Sequence, residues 1–231
     1  MQKKFSVLSF DLDDTLWPCI PTILNAEKQL YRWLSENVPQ ITARYDSEQL
    51  RTHRRLFLDK HPELAHDMTG LRLESFKQLA AELSLDESWI QPAFDVFYKA
   101  RQQVTLFDDV KPVLDDLSHH FQLVSLTNGN ANVVDTGIDH WFDFSLNSAT
   151  VGKMKSAPDI YQQVQKLANI NAGQMVHIGD HPLQDISGAQ SAGVFAIWLN
   201  REKQPWTLKN CQPDAEIHSL YELLPLLSLK S

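Results

Sequence analysis

The chain has 231 residues, of which 43% are hydrophobic and 10% aromatic, a composition typical of a well-packed globular protein. Its net charge is −8, and the chain contains no block of like charge. Both features argue against a nucleic-acid partner, because binding nucleic acid requires a basic surface. No apolar run approaches the roughly 18 residues of a membrane span, so we expect no membrane partner. The N-terminus does not resemble a signal peptide, and Cys19 and Cys211 lack metal-ligand spacing, so we expect reduced thiols and a cytoplasmic setting.

The first predicted element is a short buried strand over residues 5–10, and Asp11, Asp13 and Asp14 follow it directly. In a parallel sheet, ligands bind beyond the carboxyl ends of the strands, which is where Asp11 and Asp13 would lie. Neighbouring carboxylates repel each other and lose hydration on burial, and a bound cation relieves both costs. The alternative interpretation of this stretch alone is an acidic turn after an edge strand.

The stretch that follows is helical. Amphipathic patterns predict helices over residues 22–37, 46–60, 71–84 and 86–103, and no strand is predicted between about residues 18 and 104. From Val104 onward, predicted strands alternate with predicted helices, as is typical of a parallel sheet covered on both faces. In chain order these are helix 109–120, strand 122–127, a helix beginning near Ala131, strand 142–146, helix 157–168, strand 175–179, helix 182–192, strand 194–199, strand 215–217 and a final helix near 219–228.

Because the helical stretch interrupts this alternation after the first strand, we interpret it as an inserted domain. The predicted fold class is α/β, with a doubly wound parallel sheet and an inserted all-α cap domain. Residues 1–17 and 106–231 would form the sheet core, and residues 18–105 the cap. The two crossings, near residues 17–21 and 103–107, would be the hinges between them.

Polar groups lie at or just beyond the ends of four predicted strands. Each group alone is a weak signal, since Thr-Asn-Gly is usually a turn and Gly-Asp often caps a helix. Their shared position at strand ends predicts that they meet at one edge of the sheet. The groups are Asp11 with Asp13, Thr127-Asn128-Gly129-Asn130, Lys153 with Lys155, and Gly179-Asp180 with Asp185.

In this order, the four groups resemble the motifs of the haloacid dehalogenase (HAD) superfamily of phosphotransferases. Asp-x-Asp-x-Thr/Val is matched by residues 11–15, and an apolar strand ending in Ser or Thr by residues 123–127. A lysine ahead of a helix follows, and Gly-Asp-x-x-x-x-Asp is matched by residues 179–185. The resemblance covers nearly the whole chain, including a helical cap in the position called C1. It implies the Rossmann-like core and a hydrolase acting on phosphoric monoesters.

Two lysines match the third motif. The family pattern Gly-x-x-Lys-Pro-x-Pro aligns with Gly152, Lys155 and Pro158, which favours Lys155 over Lys153. The chain departs from the pattern at Ser156, where proline is usual.

The resemblance assigns catalysis to Asp11, Asp13 and Lys155. Asp11 would be the nucleophile that forms an aspartyl-phosphate, and Asp13 would protonate the leaving oxygen and then deprotonate water. Lys155 would offset negative charge on Asp11 and on the phosphoryl group. The implied cofactor is Mg²⁺, held by Asp11, the backbone carbonyl of Asp13, and Asp180.

The same resemblance assigns phosphate binding to the hydroxyl of Thr127, the backbone N–H of Asn128, and Lys155. Asp185 would not bind the metal itself but would orient Lys155 or a metal-bound water. The alternative interpretation of Asp185 is a solvated carboxylate on a helix. His177 lies within a buried strand pattern and His181 beside Asp180, and for both a structural role is expected.

Specificity is expected in the cap, where Arg72 and Trp17 are candidate residues. Arg72 would contact an anion or a polar ring, or else be an ordinary exposed residue of a capped helix. Trp17 would stack on a planar substrate, or pack against the cap. The layout also resembles a bacterial flavin-pathway branch of the superfamily, whose members dephosphorylate flavin mononucleotide or the pyrimidine ribityl-phosphate precursor of riboflavin.

The expected partner is a small phosphorylated metabolite, and the expected assembly is a monomer or weak homodimer. Alternative functions are a phosphomutase, a sugar-phosphate or phosphoglycolate phosphatase, and a catalytically silent module that binds a metabolite. A dehalogenase is disfavoured because the dehalogenases of the superfamily lack the second aspartate, here Asp13.

Overall fold

A computed structural model describes residues 5–227. Within them lies a parallel sheet of six strands in the order β3-β2-β1-β4-β5-β6, which confirms the predicted α/β fold class with its Rossmann-like core. The strands are β1 Val7–Phe10, β2 Gln122–Thr127, β3 Phe144–Asn147, β4 Met175–Gly179, β5 Phe195–Leu199 and β6 Ala215–Ile217.

β1 lies in the middle of the sheet, paired with β2 and β4, and all four of its residues are buried. Val7 is opposite Gln122 of β2 on one side and Met175 of β4 on the other. The strand order runs β1, β2, β3 towards one edge and β4, β5, β6 towards the other. The change of direction therefore falls between β1 and β4, and the crevice beyond such a point is where open α/β sheets bind ligands.

Ten α-helices lie within the described residues, together with four short 3₁₀ helices and one π-helical segment. The 3₁₀ helices span Pro62–His66, Asp139–Trp141, Ala172–Gln174 and Leu220–Glu222, and the π-helical segment spans Pro182–Ser187. The α-helices are α1 Cys19–Asn37, α2 Pro39–Thr42, α3 Ser47–Lys60, α4 Met68–Leu83, α5 Ile90–Arg101, α6 Val110–Leu117, α7 Ser148–Val151, α8 Asp159–Ala168, α9 Gly188–Ser191 and α10 Leu223–Leu226.

Helices α1 to α5 lie between β1 and β2 in the chain and share an apolar core, as the amphipathic patterns predicted. The domain boundaries at residues 18–105 stay a prediction. α4 begins earlier than the predicted residue 71, because the Asp67 side chain accepts the backbone N–H groups of Thr69 and Gly70 and so caps the helix there. The core comprises Ala26, Leu30, Leu34, Val38, Ile41, Phe76, Leu79, Ala80, Trp89, Ile90, Ala93, Phe94, Phe97 and Ala100.

Two further apolar clusters cover the sheet. One combines β1 residues Leu8 and Phe10 with α6 and with the C-terminal segment through Leu220 and Leu223. The other combines Val7 with α8 and α9. Burial on both faces explains why the strands are continuous apolar runs rather than alternating ones. The carboxyl ends of β1, β2 and β4 are thereby fixed rigidly in relation to one another.

Three of the predicted helices differ in kind from the elements that the structure shows. The predicted helix near Ala131 is wrong: the Asn132 side chain accepts the N–H of Val134, and a turn follows that ends at Gly137, whose φ is +76°. The predicted helix over 182–192 is instead a π-helical segment continued by α9. The final predicted helix is a 3₁₀ turn followed by α10, and its predicted end at residue 228 lies outside the described residues.

Between residues 5 and 227, no helix is both long enough and apolar enough to cross a bilayer.

Candidate active site

A cavity of about 160 Å³ opens beyond the carboxyl ends of β1, β2 and β4. It lies at the change of strand direction described above, and most of the residues predicted to carry the chemistry line it. These are Asp11, Asp13, Asp14, Thr127, Asn128, Gly129, Lys155, Asp180, His181, Gln184 and Asp185.

Lys155 forms an ion pair with each of two carboxylates. Its ammonium group contacts Asp11, and its Nζ lies 2.7 Å from Oδ1 of Asp185. The Lys155 side chain is only 2% exposed, whereas Lys153 is exposed. The structure therefore brings Lys155, and not Lys153, to the predicted nucleophile.

Asn128 positions the segment that carries Lys155. Its side-chain Oδ1 accepts the backbone N–H of Lys155 at 2.8 Å, and its Nδ2 donates to Oε1 of Gln184 at 2.8 Å. Gly188 is required on the other side, because a Cβ there would overlap the backbone carbonyl oxygen of Lys155. The backbone of Lys155 is thus contacted on one side by the Asn128 side chain and on the other by Gly188 at the start of α9.

Asp185 is held in turn by two histidine residues. His177 Nε2 lies 3.0 Å from Asp185 Oδ1, and the backbone N–H of His181 donates to Oδ2 at 2.9 Å. Ser9 lies 2.8 Å from the other ring nitrogen of His177. Burial lowers the pKa of His177, so the ring is neutral and Asp185 keeps its charge for Lys155. His177 therefore has the structural role expected from its buried strand.

The carboxylates differ in how they carry charge. Burial raises the pKa of Asp11, against the opposing effect of Lys155, and the charges of Asp185 and Asp180 raise it further. Burial and the neighbouring Asp185 raise the pKa of Asp180 to about 7. For Asp185, the charge of Lys155 and the bond from His177 outweigh burial and lower the pKa. Three carboxyl groups thus surround one ammonium group, and ionising all three is unfavourable without further positive charge.

Asp11, Asp180 and Asp185 each offer a carboxylate oxygen within 4.8 Å of the other two. Hard oxygen donors of this kind suit Mg²⁺, and the excess negative charge is what a divalent cation would neutralise. The residues present therefore fit the implied cofactor. The predicted ligand set named Asp13 through its backbone carbonyl, and the geometry adds the carboxylate of Asp185 as a neighbour.

Thr127 ends β2 and is buried beside the same cavity. Its hydroxyl accepts the backbone N–H of Gly129 at 2.9 Å, which folds the segment after β2 into a tight turn. Thr127, Asn128 and Gly129 of this turn line the cavity together.

Asp13 is held by two nitrogen donors. Trp17 Nε1 donates to its Oδ1 at 2.9 Å, and Nη2 of Arg101 lies 2.7 Å from Oδ1 and 2.5 Å from Oδ2. Asp14 has a φ of +57° and accepts the backbone N–H of Cys19 at 2.8 Å, as fits a turn at the start of α1. Of the two acids, only Asp13 is tied to the helical stretch by a charged partner.

A family model of haloacid dehalogenase-like hydrolases matches residues 5–193. The chain belongs to this family. Its predicted class, a HAD-type hydrolase acting on phosphoric monoesters, is confirmed by relatives that are named phosphatases. One is the 5-amino-6-(5-phospho-D-ribitylamino)uracil phosphatase YigB of Escherichia coli, 31% identical, with 97% of each chain covered.

Two solved structures show the same HAD fold. A protein described as a 2-haloacid dehalogenase from Pseudomonas syringae superimposes with a TM-score of 0.90 at 36% identity, covering 97% of this chain and 98% of that one. The putative HAD-hydrolase YfnB of Bacillus subtilis superimposes with a TM-score of 0.70 at 22% identity, covering 98% and 100%. The second likeness bears on the fold alone.

Two predicted specificity residues of this HAD hydrolase have no free face. Trp17 is fully buried and donates its indole N–H to Asp13, so it packs rather than stacks on a ligand. Arg72 is buried as well, with Nη2 at 2.9 Å from Glu27 and its guanidinium over the ring of Phe97. Glu27 pairs also with Arg54, so the expected substrate contact of Arg72 is replaced by a pair within the helical stretch.

Arg101 was not identified from the sequence. It is the last residue of α5 and follows an apolar face, where an arginine usually indicates nothing beyond a favourable helix C-terminus. The available signal was its position two residues before the predicted crossing at 103–107.

Proposed function

We propose that this HAD hydrolase is a magnesium-dependent phosphatase that acts on a small phosphate monoester through an aspartyl-phosphate at Asp11. The observation that carries the proposal is the buried contact of Asp11 with Lys155, beside Asp13 and within one cavity. A carboxylate whose charge is balanced by an ammonium group on one side remains able to attack phosphorus on the other.

In the first step, a carboxylate oxygen of Asp11 forms a bond to phosphorus while the bond from phosphorus to the ester oxygen breaks. Asp13 gives its proton to that leaving oxygen, so an alcohol departs. In the second step, Asp13 takes a proton from water, the water oxygen bonds to phosphorus, and the bond to Asp11 breaks. Asp11 and the protonated Asp13 are thereby regenerated, with inorganic phosphate as the second product.

The phosphoryl oxygens would be held by the Thr127 hydroxyl, the backbone N–H of Asn128 and the ammonium group of Lys155. Asp11, Asp180 and the backbone carbonyl of Asp13 would hold Mg²⁺, which when bound would supply positive charge against the carboxylate and the phosphoryl oxygens. Asp185 would keep Lys155 pointed at Asp11, since it contacts the same ammonium group.

For the substrate, we propose the ribitylamino-uracil phosphate precursor of riboflavin or the related flavin mononucleotide. The support is the likeness to the Escherichia coli phosphatase over 97% of both chains, together with the layout of the motifs. Sugar phosphates and phosphoglycolate are the alternative esters, and a phosphomutase would return an isomerised ester instead of free phosphate.

The test is phosphate release from a panel of esters, with Mg²⁺ and with a chelator. We expect hydrolysis with Mg²⁺, at least about tenfold preference for the flavin-pathway esters, and loss of activity with the chelator. A preference for a sugar phosphate contradicts the substrate class. No release from any ester contradicts the enzyme assignment and favours a silent metabolite-binding module.

A dehalogenase is the second candidate, because the Pseudomonas syringae protein described by that activity shares 36% identity with this chain. Asp13 argues against it, since dehalogenases of the superfamily lack that acid. Halide release from 2-chloropropionate, measured beside the ester panel, separates the two. Halide release without phosphate release would replace the phosphatase proposal.

A further inference from the structure

The carboxylate of Asp13 is fixed by a residue that lies 88 positions further along the chain. One nitrogen of Arg101, Nη2, stands between both carboxylate oxygens, and Trp17 donates to one of them. Arg101 is the last residue of α5, where the helical stretch returns towards the sheet. The carboxylate of Asp13 is therefore held by the last residue of the helical stretch as well as by Trp17, which follows it closely in the chain.

The surroundings of this pair leave the carboxylate little room. A Cβ at Gly129 would lie 2.9 Å from Oδ2 of Asp13, 3.3 Å from the Thr127 hydroxyl and 3.5 Å from Nη2 of Arg101. Asp13, Arg101 and the turn after β2 thus form one packed group. Next to Arg101, the side chain of Gln102 donates to the carbonyl of Asn130, which ties the same end of α5 to that turn.

Burying the Arg101 guanidinium is costly. Its side chain is 1% exposed, and its Nε and Nη1 are buried without a hydrogen-bond partner among the described residues. Buried ion pairs are often replaced by apolar residues with no loss of stability, so packing alone does not account for a charge here. What the charge does in this structure is hold Asp13.

We propose that Arg101 is a positioning residue that fixes the Asp13 carboxylate for its role as the base that takes a proton from water in the second step. The inference rests on the proposed function and adds to it that the orientation of Asp13 depends on the seating of α5 against the turn after β2. A carboxylate that rotates freely spends most of its time away from the water that it deprotonates, and small misplacements of a catalytic group cost about 10²-fold in rate.

The test compares Arg101→Met and Arg101→Lys with the wild type on the best ester of the panel. We expect Arg101→Met to lower kcat about 30- to 100-fold with KM within about threefold, and Arg101→Lys to restore part of the loss. Lys99→Met is the matched control, because Lys99 is an exposed cation in the same turn of α5, and its kcat should stay within about twofold.

A double-mutant cycle with Asp13→Asn separates positioning from direct action on the substrate. In that background Arg101→Met should change kcat by less than about twofold, since the group that it positions is already disabled. The wild type, the two single variants and the double variant also give a cycle in the free energy of unfolding. Coupling between the two substitutions in that cycle reports the contact of Arg101 with Asp13 independently of activity.

Three results overturn the inference while the wild type remains an active phosphatase. The first is a kcat in Arg101→Met equal to that of the wild type. The second is an equal loss of kcat on adding Arg101→Met to the wild type and to Asp13→Asn. The third is a change in KM with kcat unaltered. A wild type that hydrolyses no ester, with unfolding coupling intact, instead overturns the proposed function and the inference with it.

Discussion

At the residue scale, the central fact is a lysine shared by two buried carboxylates. Asp11 and Asp185 both contact the Lys155 ammonium group, and Asp180 adds a further acid nearby. Because His177 and the N–H of His181 bind Asp185, that carboxylate stays charged and keeps Lys155 in place. Asp11 is left as the carboxylate that burial makes costly to ionise without an additional cation.

Asp11→Asn tests this account of the nucleophile. An amide cannot form the acyl-phosphate, so we expect turnover of the best ester to fall at least about 10³-fold. The fold should survive, because Lys155 keeps its pair with Asp185 and an ionised group that burial disfavours is removed. Phosphate release and thermal unfolding by circular dichroism measure the two effects.

Asp14→Asn is the matched control for that experiment. It removes a carboxylate three positions away that lines the same cavity but whose side chain, among residues 5–227, accepts a hydrogen bond only from the N–H of Cys19 at the start of α1. Asparagine tolerates the same left-handed backbone. We expect turnover within about threefold of the wild type. Activity in Asp11→Asn comparable with that of the control would remove Asp11 as the nucleophile.

At the element scale, the ends of β1, β2 and β4 bring together residues that are far apart in the chain. The sheet and most helices were predictable, because apolar runs and amphipathic periods are local signals and strand ends converge in a parallel sheet. Arg101 could not be predicted from the sequence, since its partner is set by tertiary packing. Likewise, the Glu27 pair that covers Arg72 joins α1 to α4, which no local pattern indicates.

Gly188→Ala tests how the start of α9 seats the lysine. A methyl group there would overlap the backbone carbonyl of Lys155, and a backbone atom cannot move aside as a side chain can. We expect a loss of about 1–3 kcal/mol in the free energy of unfolding, together with at least about tenfold lower turnover as Lys155 shifts. Denaturant unfolding and phosphate release give the two numbers.

Gly173→Ala is the control for the added methyl, since a Cβ at that position meets no atom within 4 Å. The free energy of unfolding of this control should match that of the wild type to within about 0.5 kcal/mol, and its turnover to within about twofold. If Gly188→Ala behaves like this control, the close approach of α9 does not position Lys155.

At the scale of the whole molecule, one carboxylate joins segments from both ends of the chain. Asp109 accepts two bonds from Arg201, at 2.8 and 2.9 Å, and it also accepts the hydroxyl of Ser219 and the backbone N–H of Leu220. Arg201 in turn donates to the carbonyl oxygen of Thr15, the last residue of the first motif. The segment after β1, which carries the proposed nucleophile, is thereby tied to the C-terminal segment.

Asp109→Asn should lower the free energy of unfolding by about 2–4 kcal/mol at pH 7, because it leaves a largely buried guanidinium without its anion. The bonds and charge of Arg201, with those from Leu220 and Ser219, outweigh burial and lower the pKa of Asp109 in the folded protein. A lowered pKa means that this stabilisation is complete above the unfolded value near 3.8 and is lost as pH falls through the folded pKa.

The difference in unfolding free energy between wild type and Asp109→Asn should therefore be constant from about pH 7 to 5 and shrink below about pH 4. Denaturant titrations at pH 7, 5 and 3.5 measure it. Asp108→Asn is the matched control, because Asp108 is the exposed neighbour, and it should change stability by no more than about 0.5 kcal/mol at any of these pH values. A difference that grows as pH falls would contradict the lowered pKa, and equal effects of the two substitutions would contradict the role of Asp109 in joining the segments.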